Sequence, residues 1–459
     1  MHKITGDRET VLRLLKGTMR QIGDDNPKSR KAGLVSLSLK SEARWPENRD
    51  KLIDSLKRSY DRARDQEVVA AATGVARNQR AVDSWYAPRD RTLAVFQAAM
   101  DEYLDESAGK KRSSAKSAKS GRAVRTRQPE ATFEAFLAKT PPSHIRKKTA
   151  TSAALEQFDN LDPRWIQVVW EKAKLLFKGK RKFIKHTSVT DFRFPLAENA
   201  RIVIVGDWGG GNAAAQAVAK QIQQLNPLPD HLIHLGDVYY AGTPKEVQDR
   251  FLKFWPTPKT SGSSFALNSN HEMYSGGYGY FDTTLKKFKQ PASYFSLGNK
   301  NWRFIGLDTG YVDHDLNREQ VDWLKAQLNV GGARNVLLTH HQLFSAYEDT
   351  NADNLLSRVR PFLAAKQIYG WMWGHEHLCV VYKENMGVKA RCVGNGCFPY
   401  NPPTAKPRVP VEWIDDRPQP NVKDYKGIHT FALLDVTGET VKISYVDQDG
   451  KVGFEETWP

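Results

Sequence analysis

Arg201-Ile202-Val203-Ile204-Val205-Gly206-Asp207 is the stretch on which the fold turns. A short β-branched run that stops at Gly-Asp reads as a buried strand whose end delivers a carboxylate. Downstream, residues 213–225 carry a helical pattern, and His231-Leu232-Ile233-His234-Leu235 is a second strand, again ending in Gly236-Asp237. Thr243-Pro244-Lys245-Glu246 is a capping box that opens a helix running to Trp255. More strands are expected at 294–297, 302–308, 335–339 and 369–373, and a hairpin about Thr437-Gly438 joins 429–436 to 441–446. Strands that alternate with helices predict a layered α/β domain over residues 196–459.

The part before it differs in kind. Apolar residues recur at helical spacing over 9–22, 50–64 and 92–104, so residues 1–106 are expected to be all-α. Residues 107–129 read as a basic, disordered linker, since 107–127 hold eight basic residues and no acidic one. Residues 130–195 read as a helical basic segment, with Asp162-Pro163 as a helix start and Lys178-Gly179-Lys180-Arg181-Lys182 as a cluster at its end.

Charge divides along the same line. The formal net charge of +16 comes from residues 1–195, with 41 Lys and Arg against 24 Asp and Glu; residues 196–459 have 27 against 28. Such an excess suits a polyanion partner, nucleic acid or an anionic membrane surface, held by residues 1–195. With 459 residues, 40% hydrophobic and 26% charged, the chain reads as a globular protein of more than one domain. It contains no transmembrane-length apolar run and no signal-peptide pattern, so a cytoplasmic location is the expectation. Cys379, Cys392 and Cys397 have no zinc-finger spacing and read as free thiols.

Five sets of oxygen and nitrogen donors lie in order along this domain, four of them directly after a predicted strand. They are Gly206-Asp207-Trp208-Gly209, Gly236-Asp237-Val238-Tyr239-Tyr240, Asn270-His271-Glu272, Thr339-His340-His341 and Gly374-His375-Glu376-His377. Strand ends are where layered α/β folds bind ligands, and carboxylates mixed with imidazoles, without thiolates, suit iron, manganese or zinc. His231 and His234, inside apolar runs, read instead as core residues. Of His340 and His341, adjacent on an extended chain, only one should reach a metal, and spacing does not choose between them.

This ordered series resembles the calcineurin-like metallophosphoesterase superfamily, and within it the purple acid phosphatases. The resemblance spans residues 199–450 and implies an αββα sandwich and two metal ions a few ångström apart. By position, Asp207, Asp237, Tyr240 and His377 would hold the first metal, and Asp237, Asn270, His340 and His375 the second. Asp237 would be the catalytic bridge, His271 the acid that protonates the leaving oxygen, and His341 and Glu272 substrate-facing or supporting residues. Gly209 stands where many superfamily members have a histidine, and Tyr240 would supply the missing donor. Its phenolate implies Fe(III) at the first site, with Fe, Zn or Mn at the second. Ser269 departs from the glycine usual before Asn-His.

The expected function is metal-dependent hydrolysis of phosphate esters, by attack of metal-bound hydroxide on phosphorus. A nuclease or phosphodiesterase acting on nucleic acid held by the basic region is the rival within the same chemistry. A non-catalytic scaffold is the rival outside it, and the complete donor set argues against that reading.

Overall fold

The computed structural model describes residues 179–259, 262–348, 352–419 and 427–459, together with Val168 and Glu171. The expected helices at 9–22, 50–64 and 92–104, the linker at 107–129 and most of the segment at 130–195 lie outside the described residues. Gly179–Pro459 forms one compact unit.

Two mixed sheets make the body of this unit. Its strands are β1 (Arg193–Pro195), β2 (Asn199–Val205), β3 (His231–His234), β4 (Ser263–Ala266), β5 (Phe295–Gly298), β6 (Trp302–Gly306) and β7 (Arg334–Thr339). They continue with β8 (Gly370–Trp373), β9 (Cys379–Tyr382), β10 (Lys389–Val393), β11 (Val411–Ile414), β12 (Thr430–Thr437), β13 (Thr440–Asp447) and β14 (Val452–Trp458). One sheet has the order β14-β13-β12-β2-β3-β4 and the other β1-β5-β6-β7-β8-β10-β9-β11. The runs β2-β3-β4 and β6-β7-β8 are parallel, so their carboxyl ends lie along one edge of each sheet.

The inner faces of the sheets pack on each other. Ile202, Ile204, Ile233 and Leu434 from one and Phe304, Val336, Leu338 and Met372 from the other share a single buried core. Alternate residues of the eight-stranded sheet, Ile305, Leu337, Trp371 and Val380, face outward onto a second core. Helices α2 (Arg318–Leu328) and α3 (Asp353–Ala364) close that core with Trp323, Leu324, Leu355, Val359 and Phe362. Helix α1 (Ala213–Gln223), capped by the Asn212 side chain on the Ala215 amide, buries Ala215, Val218, Ala219 and Ile222. The architecture is the expected α/β layered sandwich.

Several local expectations hold and some shift. The capping box at Thr243 and Glu246 is present, but the helix it opens is α-helical only over Pro244–Glu246 and continues as π-helical turns through Val247–Leu252. The hairpin does not end the unit, because β14 adds to the free edge of β13. Residues 302–308 leave the strand after Gly306, and Asp308 becomes the hub of a loop, accepting from the Gly310 and Tyr311 amides and from Asn268. The three cysteines are free and buried, and His234 is a core residue whose burial depresses its pKa to about 3.

Candidate metal centre

Glycine brings the two sheet edges together. A Cβ on Gly374 would stand 2.7 Å from Asp207 Oδ2, and one on Gly236 would stand 2.8 Å from His340 Nδ1. Both are shorter than non-bonded contact, so the donors approach only because these positions carry no side chain. Directly after these turns the chain takes positive φ at Asp207 (55°), Asp237 (78°), His375 (70°) and His377 (55°). Four strained non-glycine residues at one place are a functional signature, since each costs about 1–3 kcal/mol of backbone energy.

The donors then fall into two groups that share Asp237. In the first, the Tyr239 hydroxyl lies 3.2 Å from Asp207 Oδ1, 3.1 Å from Asp237 Oδ2 and 3.2 Å from His377 Nε2. His377 Nε2 is in turn 3.4 Å from Asp207 Oδ1. In the second, His340 Nε2 lies 2.9 Å from Asn270 Oδ1, 3.2 Å from Asp237 Oδ1 and 3.2 Å from His375 Nδ1. Donors bound at about 2.0–2.2 Å to a common ion stand about 3.0–3.5 Å from one another. Both groups therefore have the spacing of a coordination shell, one carboxylate oxygen of Asp237 turned to each.

Neighbouring groups set the orientation. His340 Nδ1 donates to the Leu235 carbonyl at 2.9 Å, which leaves Nε2 with its lone pair facing the cluster. The His375 amide donates to Asp207 Oδ2 at 2.7 Å. Ser269 caps the turn at Asn270–Met273 and donates to Asp237 Oδ1 at 2.5 Å. Glu272 takes the Asp237 amide at 3.3 Å and lies in close contact with Ser269. Burial and the Asp237 charge raise the Glu272 pKa to about 8.

The electrostatics of these groups on their own are unbalanced. Burial, then the Asp237 charge, raises the pKa of Asp207 well above the carboxylate range. Burial works in the same direction on Asp237, but His271, His340 and His375 outweigh it and hold that carboxyl far down. Burial depresses His340 and, more strongly, His375 and His341. Burial and both carboxylates push the Tyr239 phenol well up. Cations at the two groups would reverse this logic, since they stabilise carboxylates and phenolate directly and take the imidazoles in their neutral form.

The remaining expected residues surround the two groups. His271 is buried, with Nδ1 2.7 Å from the Tyr240 carbonyl and Nε2 3.7 Å from Asp237 Oδ2. His341 is buried, with Nδ1 3.0 Å from Thr309 Oγ1. Tyr240 is buried under the Arg250 guanidinium, 4.7 Å from its ring centre, and its amide donates to Glu246. The phenol hydrogen-bonded to Asp207, Asp237 and His377 thus belongs to Tyr239. The resemblance implies Tyr240 in this place, whereas the loop turns the hydroxyl of its neighbour Tyr239 inward. His314, absent from the sequence expectations, packs on His341 with ring centres 3.9 Å apart and planes tilted by 36°.

Residues 200–379 match the family model described as calcineurin-like phosphoesterase. The human tartrate-resistant acid phosphatase type 5 (Homo sapiens) is 24% identical over 300 residues, covering 56% of this chain and 90% of its own length. The rabbit protein of that name (Oryctolagus cuniculus) is 25% identical over 320 residues, 60% of this chain and 96% of its own. Among solved structures, a purple acid phosphatase from yellow lupin (Lupinus luteus) seeds superposes with a TM-score of 0.42 at 19% identity, covering 57% of this chain and 54% of the lupin chain. Residues 200–379 thus match the calcineurin-like phosphoesterase family, and the relatives they resemble are acid phosphatases.

Proposed function

We propose that the chain hydrolyses phosphate esters with a dinuclear metal centre bridged by Asp237. The observation that carries this reading is the pair of donor groups on either side of that carboxylate. Asp207, Asp237, Tyr239 and His377 would hold one ion; Asp237, Asn270, His340 and His375 would hold the other. When bound, the pair would polarise the phosphoryl oxygens and make water acidic enough to act as the nucleophile near neutral pH.

The chain's own residues do the rest. Asn270 and His340, 2.9 Å apart, fix the second group while Ser269 and Glu272 restrain Asp237. His271 gives Nδ1–H to the Tyr240 carbonyl, so the proton it exchanges with substrate sits at Nε2, on the face toward Asp237. In the imidazolium form that nitrogen protonates the leaving oxygen.

The phenolate favours a ferric ion at the first group, with iron, zinc or manganese at the second. Full-length protein purified without chelators should contain about two metals per chain and hydrolyse p-nitrophenyl phosphate, bis(p-nitrophenyl) phosphate or both, which separates phosphatase from phosphodiesterase. Ferric phenolate charge transfer should colour it violet to pink. Tyr239→Phe should bleach that band and Tyr240→Phe should retain it; the reverse pattern would return the ligand to Tyr240. Colourless, metal-free protein without hydrolysis would sink the whole reading.

The nuclease alternative rests on the basic excess of residues 1–195. In the described part of that segment, Arg181 pairs with Asp282 and Lys185 with Glu319.

A further inference from the structure

His314 lies in the loop between β6 and α2, flanked by Asp313 and Asp315, with no apolar run around it. The buried Asp308 hub and the side chain of Gln320, which pairs with both the amide and the carbonyl of Asp308, anchor this loop. Within it, the His314 amide donates to the Thr309 carbonyl at 3.1 Å, and Val312 and Asp315 form an isolated bridge. His314 itself takes φ of 57°, the same left-handed region as Asp207, Asp237, His375 and His377. A non-glycine residue held there by a fixed loop is being placed.

What it is placed against is an imidazole wall. The His314 ring centre is 3.9 Å from that of His341 and 5.4 Å from that of His375. His341 is fully buried, yet among the described residues its Nε2 makes no hydrogen bond. Asp313 Oδ1 stands 3.7 Å away and accepts from His314 Nδ1 at 3.0 Å, which leaves Nε2 as the His314 nitrogen free to face a ligand. A buried, unsatisfied imidazole nitrogen costs about 1–3 kcal/mol unless a ligand completes it. His314 remains partly open to solvent, with 18% of its side chain exposed, so the wall is reachable from outside.

The spacing suits one oxygen atom. One nitrogen from each of His314, His341 and His375 lies within 4.8 Å of the other two. A point no more than about 2.8 Å from all three therefore exists, the length of an N–H···O hydrogen bond. His271 flanks the Tyr239 side of the centre, with ring centres 4.7 Å apart, whereas this wall flanks the His375 side.

We propose that His314 contacts the substrate: with His341 it forms a pocket of imidazole donors that holds a non-bridging phosphoryl oxygen on the His375 side of the centre. The proposal rests on the phosphoesterase reading above and adds to it a residue on a separate loop, facing the phosphate from the flank remote from His271.

The test uses metal-loaded, full-length protein and inorganic phosphate as the probe, with binding measured by calorimetry. His314→Ala should weaken phosphate by about tenfold or more, the loss expected for one hydrogen bond to an anion. Metal content should not change, and KM for p-nitrophenyl phosphate should rise more than kcat falls. His314→Gln, which keeps an N–H donor, should recover part of the affinity and guards against a folding defect. Phosphate affinity in the alanine variant within about twofold of the parent, in a protein that binds its metals and turns over, overturns this inference alone. Loss of one metal ion per chain in that variant also overturns it and makes the wall a cation site. A parent protein without metal or hydrolysis defeats the functional reading and this inference together.

Discussion

The two sheets end in opposite chemistry. The carboxyl ends of β2, β3 and β4 in the six-stranded sheet present Asp207, Asp237 and Asn270, all oxygen donors. The carboxyl ends of β7 and β8 in the eight-stranded sheet present His340, His375 and His377, all nitrogen donors. Either edge alone would be unfavourable: buried carboxylates crowd each other, as the raised pKa of Asp207 shows, and buried imidazoles lose their protons. Facing each other they compensate in part, which is why Asp237, the carboxylate surrounded by His271, His340 and His375, is the one that stays charged. The centre is therefore a property of the seam between the sheets.

That contrast can be broken most sharply at the shared residue. Asp237→Asn should remove both metals and lower turnover by about a thousandfold or more, a loss in the range of removing a principal catalytic group. His340→Ala, on one group only, should remove one ion and leave the other. Elemental analysis of the two variants side by side decides the point, and equal metal loss from both would contradict a bridging role for Asp237.

The seam itself can be tested by adding one methyl group. Gly374→Ala would place a Cβ 2.7 Å from Asp207 Oδ2. Since neither backbone can retreat without moving a strand end, unfolding free energy should fall by about 1–3 kcal/mol, and metal affinity should fall with it. An unchanged denaturation midpoint and metal content would show that the seam is looser than its distances imply.

A smaller effect should come from Glu376, between His375 and His377. Burial raises its carboxyl to about 8, while its Oε2 accepts from Trp373 Nε1 at 2.6 Å. From about pH 4.5 to 8 the folded protein keeps a proton that the unfolded chain releases, so this group's contribution to stability falls as pH rises. Glu376→Gln cannot ionise and should flatten that part of the profile. Denaturant titrations of metal-free protein across the interval should show the two proteins diverging with rising pH; parallel profiles would mean Glu376 is already ionised in the fold.

The sequence made the frame of the centre readable because strand ends and donors coincide. The runs before Asp207 and Asp237 are so apolar that their burial is hardly ambiguous, and β2, β3, β7 and β8 appear within a residue or two of expectation. The expectation fell on Tyr240 and not Tyr239, because which neighbour points inward depends on how Glu246 and Arg250 hold the loop from its far side. His314 carried no signal, since a histidine between two aspartates looks like solvated loop until Asp308 and Gln320 are seen to pin it. Strand β1, only three residues long, is defined by its partner β5 and not by its own composition.

The order of strands in the six-stranded sheet has a consequence for how such a chain is made. Strand β2, which delivers Asp207, lies between β3 and β12, and β12 begins only at Thr430. A ribosome that has just translated His377 has already supplied every proposed donor, yet one edge of β2 still lacks its partner. Until the last stretch emerges, that edge is an open row of amides and carbonyls able to pair with another chain. The β12–β13 hairpin thus acts as a built-in chaperone for the strand that starts the site, and premature stop codons after His377 should yield aggregate in place of a weakened enzyme.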